Sequence, residues 1–346
     1  MKYLLIVFIY SLTYILGDYI FSNFFSSKSD YKTGVSDEFY HHKLKPDQDV
    51  MVNYGPELFR LCTNSYGFRV FCEKKNINKK KYKYALIGDS YVEGLYNYED
   101  VFAGIFEKKF PNSINIGASS YSNIIYFSKI FYLIEKENFS FEEVILFFDP
   151  TDIYQDQSLY LNEDNGINGE SKDFSQGINI VFTRTKFKNF LFENFKLSHY
   201  IFVNLRDRIF PTKMVVFNNP AIDWSIYNES FNFKKRSVND SIDYSLSFLY
   251  KLSEYLKEKN IRFSIVIYPH PTELLHSTKI SKITKIFHDF CVSRCFKFIN
   301  IHNFLFEEIE TSNVVDVYKK YFIFRDNHLN LEGNKKFSEI LFKYYQ

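Results

Sequence analysis

The sequence predicts an α/β protein: a three-layer α/β/α sandwich around a mostly parallel sheet of about five strands, with an inserted region. Three observations predict it. Short, almost continuous apolar runs recur at 83–89, 113–117, 143–149, 262–269 and 297–301, the pattern of strands covered on both faces. Segments with helical spacing alternate with them, at 99–109, 123–138, 241–258, 272–290 and 331–344. Residues able to do chemistry fall just after the strands, where open α/β sheets bind their ligands.

Taken in order, residues 1–25 hold one lysine and then an uncharged stretch from Tyr3 to Gly17, which Asp18 interrupts. That is the length and flank of a signal-peptide hydrophobic region, but no small-x-small cleavage site follows. The expectation is an N-terminal signal anchor crossing the inner membrane, with a periplasmic or cell-surface domain outside. Cleaved secretion and a buried N-terminal helix are the alternatives. Residues 26–80 are polar and turn-rich, with Gly34, Pro46, Gly55 and Pro56, and read as a stalk and lead-in that packs on the main domain. Residues 81–346 form that domain. The strand–helix rhythm lapses over about 156–239, which reads as an insertion.

The chain has 346 residues and 46% hydrophobic content, enough for a substantial core. Its 43 basic and 41 acidic residues are nearly balanced, which argues against a nucleic-acid partner. Lys79-Lys80-Lys81 and Lys234-Lys235-Arg236 read as solvated surface. The 40 Phe and 28 Tyr are spread through every segment, so they read as compositional bias rather than an aromatic groove. Cys62 and Cys72 flank a turn, and Cys291 and Cys295 sit four apart at a helix end. Either pair forms a disulfide or stays as buried thiols. With no C-x-x-C and no histidine at zinc spacing, neither a structural metal nor a cofactor is expected.

The first strand runs into Gly88-Asp89-Ser90-Tyr91-Val92-Glu93-Gly94. A serine at such a strand-to-helix turn presents its hydroxyl to the crevice beside backbone N–H groups, which suits a nucleophile facing a tetrahedral oxyanion. Asp89 is expected to brace the turn. Gly117, after the second strand, is a candidate second oxyanion donor. After the third, Thr151 is a candidate hydroxyl donor and Asp152 a candidate loop holder, with Asp156 nearby. A metal or a glycosidase pair is disfavoured, because no second carboxylate cluster follows the other strands. Before the last helix come Asp326, His328 and Asn330. His328 is the candidate base, Asp326 the acid that orients it, and Asn330 the helix cap. His270, between two prolines after the fourth strand, is a rival base; His41-His42 is a weaker recognition candidate.

Together these pieces resemble the SGNH (GDSL-type) hydrolase superfamily over roughly residues 64–346, with 156–239 outside the likeness. Gly88-Asp89-Ser90 with Gly94 resembles its nucleophile block, Gly117 its second-block glycine, and Asp326 with His328 its terminal block. Asn64-Ser65-Tyr66-Gly67-Phe68-Arg69 resembles a lead-in common in membrane-linked members. Two positions depart. Thr151 stands where the family has an oxyanion-binding Asn. Arg325 stands at the usual Asp position, so the acid and base form Asp-x-His, similar to the exported branch that O-acetylates polysaccharides. The resemblance implies a flavodoxin-like sheet and an acyl-enzyme on Ser90. The expected activity is acyl transfer or ester hydrolysis on an envelope glycan or related acylated substrate. A transferase would need a membrane acyl-donor protein or a soluble donor. The alternative is a non-catalytic glycan-binding or accessory module that keeps the fold.

Overall fold

The computed structural model describes residues 2–25, 33–52, 57–75, 79–158, 194–198, 201, 237–268, 270–271, 273–276, 282–324 and 326–345. Most of the expected insertion, the run Lys234-Lys235-Arg236 and Arg325 lie outside them. The strands are β1 (Gly34–Asp37), β2 (His41–Leu44), β3 (Asp49–Val52), β4 (Phe59–Cys62), β5 (Lys81–Ile87), β6 (Ser113–Asn115), β7 (Ser140–Phe148), β8 (Arg262–Ile267) and β9 (Lys297–Asn300). The helices are α1 (Lys2–Ile20), α2 (Ser90–Glu93), α3 (Phe102–Lys109), α4 (Asn123–Glu135), α5 (Thr151–Ser158) and α6 (Val238–Glu258). They continue with α7 (Glu273–His276), α8 (Lys282–Arg294), α9 (His302–Thr311), α10 (Val314–Tyr321) and α11 (Leu331–Tyr344).

The expected fold class is met. Strands β5 to β9 form one all-parallel sheet in the order β6-β5-β7-β8-β9. Successive strand side chains point to opposite faces, and here both faces are apolar. Ala85 and Ile87 of β5, Val144, Leu146 and Phe148 of β7, and Ile265 and Ile267 of β8 share one buried cluster with α4, α6 and α8. Tyr84 and Leu86 of β5, Ile145 and Phe147 of β7, and Val266 of β8 share the other with α3, α9, α10 and α11. The strand runs therefore lack polar alternation because helices cover the sheet on both sides. The strand order reverses around β5, since β6 lies on one side of it and β7 on the other. In open α/β sheets ligands bind outside the carboxyl ends of the strands at such a switch point, which here is beside β5.

The segment expected to be an irregular stalk is more ordered. Two antiparallel hairpins, β1–β2 and β3–β4, occupy it. Tyr40, Leu44, Val52, Phe59 and Leu61 from these hairpins join the buried cluster of the main sheet. The two cysteine pairs are both disulfides, Cys62–Cys72 and Cys291–Cys295. Among the described residues the one metal-like grouping is Asp49 with Cys62 and Cys72, and its two sulfurs are bonded to each other.

The expected membrane anchor is corrected. Among the described residues, no helix is long and apolar enough to cross a membrane. The uncharged run from Tyr3 to Gly17 falls short of the roughly 20 apolar residues that a span requires. Asp18 then ends it as a satisfied polar group. Its Oδ1 accepts from the Leu197 N–H at 3.0 Å, and its Oδ2 from the Ser198 N–H at 2.8 Å and the Ser198 hydroxyl at 2.5 Å. Burial raises the Asp18 pKa, but these hydrogen bonds outweigh it and hold the carboxyl below the usual value. A location argued from a transmembrane helix loses its basis.

Candidate active site

The turn after β5 is tight because Gly88 has no side chain. A Cβ there would lie 2.4 Å from Val92 Cγ2 and 3.0 Å from the Phe147 carbonyl oxygen. Asp89 caps the short helix α2, accepting from the Tyr91 N–H at 3.0 Å. Its expected bracing role is therefore visible. Ser90 is the first residue of α2 and half-buried, and its own N–H has no partner among the described residues.

The base arrives from the far end of the chain. Helix α10 delivers residues 322–329, which close a small loop through Phe322 paired with Leu329 and the Ile323 N–H donating to the His328 carbonyl at 2.8 Å. The Tyr318 hydroxyl holds this loop from inside. It accepts from the Asp326 N–H at 3.0 Å and lies 2.8 Å from the carbonyls of Ile323 and Asp326. Asn330 caps α11 as expected, accepting from the Gly333 N–H at 2.9 Å.

The loop brings the three candidate residues together. Ser90 Oγ lies 2.7 Å from His328 Nε2, and His328 Nδ1 lies 2.5 Å from Asp326 Oδ1. With Nδ1–H donating to the carboxylate, Nε2 is left as acceptor for the serine hydroxyl. Burial disfavours the imidazolium, but Asp326, with Asp89 and Asp149 behind it, more than compensates and raises the His328 pKa above 6.5. Burial raises the Asp326 pKa, but its hydrogen bond to His328 and the charge there outweigh burial, so the net shift is downward.

A floor of buried acids lies beneath. Burial pushes Asp89 up to about 6. Burial and the neighbouring Asp89 push Asp149 up to about 7. Asp152 is fully buried and holds the loop, accepting from the Asp149 N–H at 3.3 Å and the Tyr126 hydroxyl at 3.1 Å. Asp156 is also buried, and accepts from Ser245, Asn123 and the Ile124 N–H. It thus ties α5 to α4 and α6.

Both oxyanion candidates are already engaged. Thr151 begins α5, its N–H donates to Asp149 Oδ1 at 2.6 Å, and its side chain also hydrogen-bonds Asp149. The Gly117 N–H donates to Asn115 Oδ1 at 3.0 Å and is not free for an oxyanion while that bond stands. What glycine supplies at 117 is close packing, since a Cβ would meet the Gly88 carbonyl oxygen at 2.7 Å and Val92 at 2.9 Å. Beyond it, the Ser119 N–H and hydroxyl donate to Glu93 Oε2 at 2.6 and 2.7 Å.

The rival histidines are held neutral by burial. His270 is buried, which holds its pKa down to about 3, so it stays neutral and is a weak base. His42 is likewise held to about 3 by burial, and its Nε2 lies 2.8 Å from the Ser119 carbonyl, where it supports the loop after β6.

Sequence reasoning missed three groups. Tyr91 follows the nucleophile, and its hydroxyl donates to the Asn327 carbonyl. Glu93 binds Ser119. Arg69, the last residue of the lead-in motif, is fully buried, and its guanidinium donates to the carbonyls of Glu93, Gly94 and Tyr96. A buried arginine clamping the turn after α2 explains why the lead-in belongs with the site. Comparison with known proteins gave no matching family model, no matching curated protein and no matching solved structure.

Proposed function

We propose that this protein is a serine acyltransferase or esterase that works through an acyl-enzyme on Ser90. One observation carries the reading: the continuous hydrogen-bonded chain from Ser90 Oγ through His328 to Asp326, with distances of 2.7 and 2.5 Å. Ser90 Oγ attacks the acyl carbonyl and its proton passes to His328 Nε2. The bond from the acyl carbon to the leaving oxygen breaks, and His328 gives the proton to that oxygen. Water or an acceptor hydroxyl then surrenders a proton to His328 and takes the acyl group from Ser90. Water makes the protein an esterase, and a sugar hydroxyl makes it an O-acyltransferase. The substrate class we propose is an acylated glycan or a related ester.

The occupied Gly117 N–H favours a second reading, a non-catalytic binding module of the same fold. Turnover of a short-chain chromogenic ester by the full chain and by Ser90→Ala separates the two. The enzyme reading expects turnover that Ser90→Ala loses while remaining folded. Turnover unchanged in Ser90→Ala overturns it. Release of product accelerated by added glycan marks transfer over hydrolysis.

A further inference from the structure

We infer that Tyr91 is a positioning residue that sets the distance between the nucleophile and its base. The inference rests on the acyl-enzyme reading above. Tyr91 is covalently next to Ser90, and its hydroxyl donates to the carbonyl of Asn327, covalently next to His328. The two residues are 236 apart in the chain. One side chain therefore ties the backbone carrying the attacking oxygen to the backbone carrying the accepting nitrogen.

The tie is rigid for reasons on both sides. The Tyr91 ring lies with its centroid 5.4 Å from the His328 imidazole and 4.6 Å from the Tyr268 ring, so it packs between the base and the sheet. Its N–H is held by Asp89 Oδ1, which lies 3.4 Å from the Tyr268 hydroxyl. Tyr91 is buried, and burial with the surrounding carboxylates keeps the phenol protonated, so it remains a donor. Tyr318 and Asp326 fix the loop from the other side. Without the Tyr91 hydroxyl, the Asn327 end of the loop loses its link to α2. The loop would then be held from the Tyr318 side only, and the Ser90–His328 contact would lose its direct backbone-to-backbone tie. Misplacement of a base by a fraction of an ångström costs rate rather than binding, because it acts on proton transfer at the transition state.

The test is the rate at which a fluorophosphonate modifies Ser90, expressed per modified serine so that unfolded chains do not count. Four full-length proteins are compared: wild type, Tyr91→Phe, His328→Ala and the double variant. Tyr255→Phe serves as a control, because that hydroxyl binds Glu135 on the surface. We expect Tyr91→Phe to slow modification about 10- to 100-fold in the wild-type background. In the His328→Ala background it should change the rate less than about twofold, because no base is left to position. Tyr255→Phe should change nothing. A merely structural role would slow both backgrounds alike, and that result overturns the inference, as does an unchanged rate in Tyr91→Phe. A wild-type Ser90 that does not react overturns the acyl-enzyme reading and takes this inference with it.

Discussion

Asp326 Oδ1 accepts two hydrogen bonds from a single residue, from the His328 N–H at 2.9 Å and from His328 Nδ1 at 2.5 Å. The first bond makes the turn that a two-residue spacing needs, and the second fixes the imidazole tautomer. In Asp326→Asn the amide oxygen can still take the backbone N–H. That same oxygen still faces Nδ1–H, but without the carboxylate charge it holds the ring more weakly and no longer stabilises the imidazolium that forms when His328 takes the serine proton. We expect ester turnover to fall on the order of 10³-fold or more, with little change in thermal midpoint. Steady-state kinetics alongside a melting curve checks both halves.

The pH profile follows from the same carboxylates. His328 must be neutral to act as base, and its pKa is raised above 6.5. Activity should therefore climb with pH through a midpoint above that of an ordinary histidine. Asp149 is one of the charges favouring the imidazolium, so Asp149→Asn should move the rising limb to lower pH. A kcat/KM profile of both proteins between pH 5 and 9, a range of about two units either side of neutrality, decides it. An upward move would contradict the assignment.

The Thr151 side chain bonds Asp149 and the Gly117 N–H bonds Asn115. A hydroxyl can rotate to a new acceptor where a backbone N–H cannot, so Thr151 is expected to carry the larger share of the oxyanion. Thr151→Val should lower kcat about 100-fold with KM nearly unchanged, and Thr151→Ser should retain most activity. Equal rates in Val and wild type would remove the residue from the site.

Arg69 stabilises rather than reacts. Burial lowers its pKa to about 10, and it stays charged near neutrality. Arg69→Met would strip the donors from three carbonyls after α2 and should cost more than about 3 kcal/mol. Arg69→Lys should recover little of this, because an ammonium cannot reproduce the planar fork. Urea denaturation of the three proteins measures the difference.

The parallel sheet was legible because each of its five strands is an apolar run set off by turns, and helices on both faces remove any need for polar alternation. The hairpins at 34–62 were not legible. Their strands are four residues long and interleave charges, too short to display a period of two. Helices α9 and α10 also went unread, although Asn313 with Asp316 three residues on is an N-terminal signature, and Asn313 does cap α10. Residues 272–290, read as one helix, hold α7 and then α8, which runs on to Arg294. At the site, Ser90, Asp326 and His328 each sat in a recognisable local pattern. Tyr91, Arg69 and Asn115 did not, because their roles depend on partners brought together by folding. The N-terminal expectation failed on length: the uncharged run from Tyr3 to Gly17 is too short to span, and Asp18, which ends it, is held by donors from Leu197 and Ser198.

The most direct measurement is the mass of the peptide containing Ser90 after brief reaction with an activated short-chain acyl ester and acid quench. One acyl group on Ser90 is expected, absent in Ser90→Ala and formed far more slowly in His328→Ala. No acyl group on Ser90, or one that forms equally fast without His328, would contradict it.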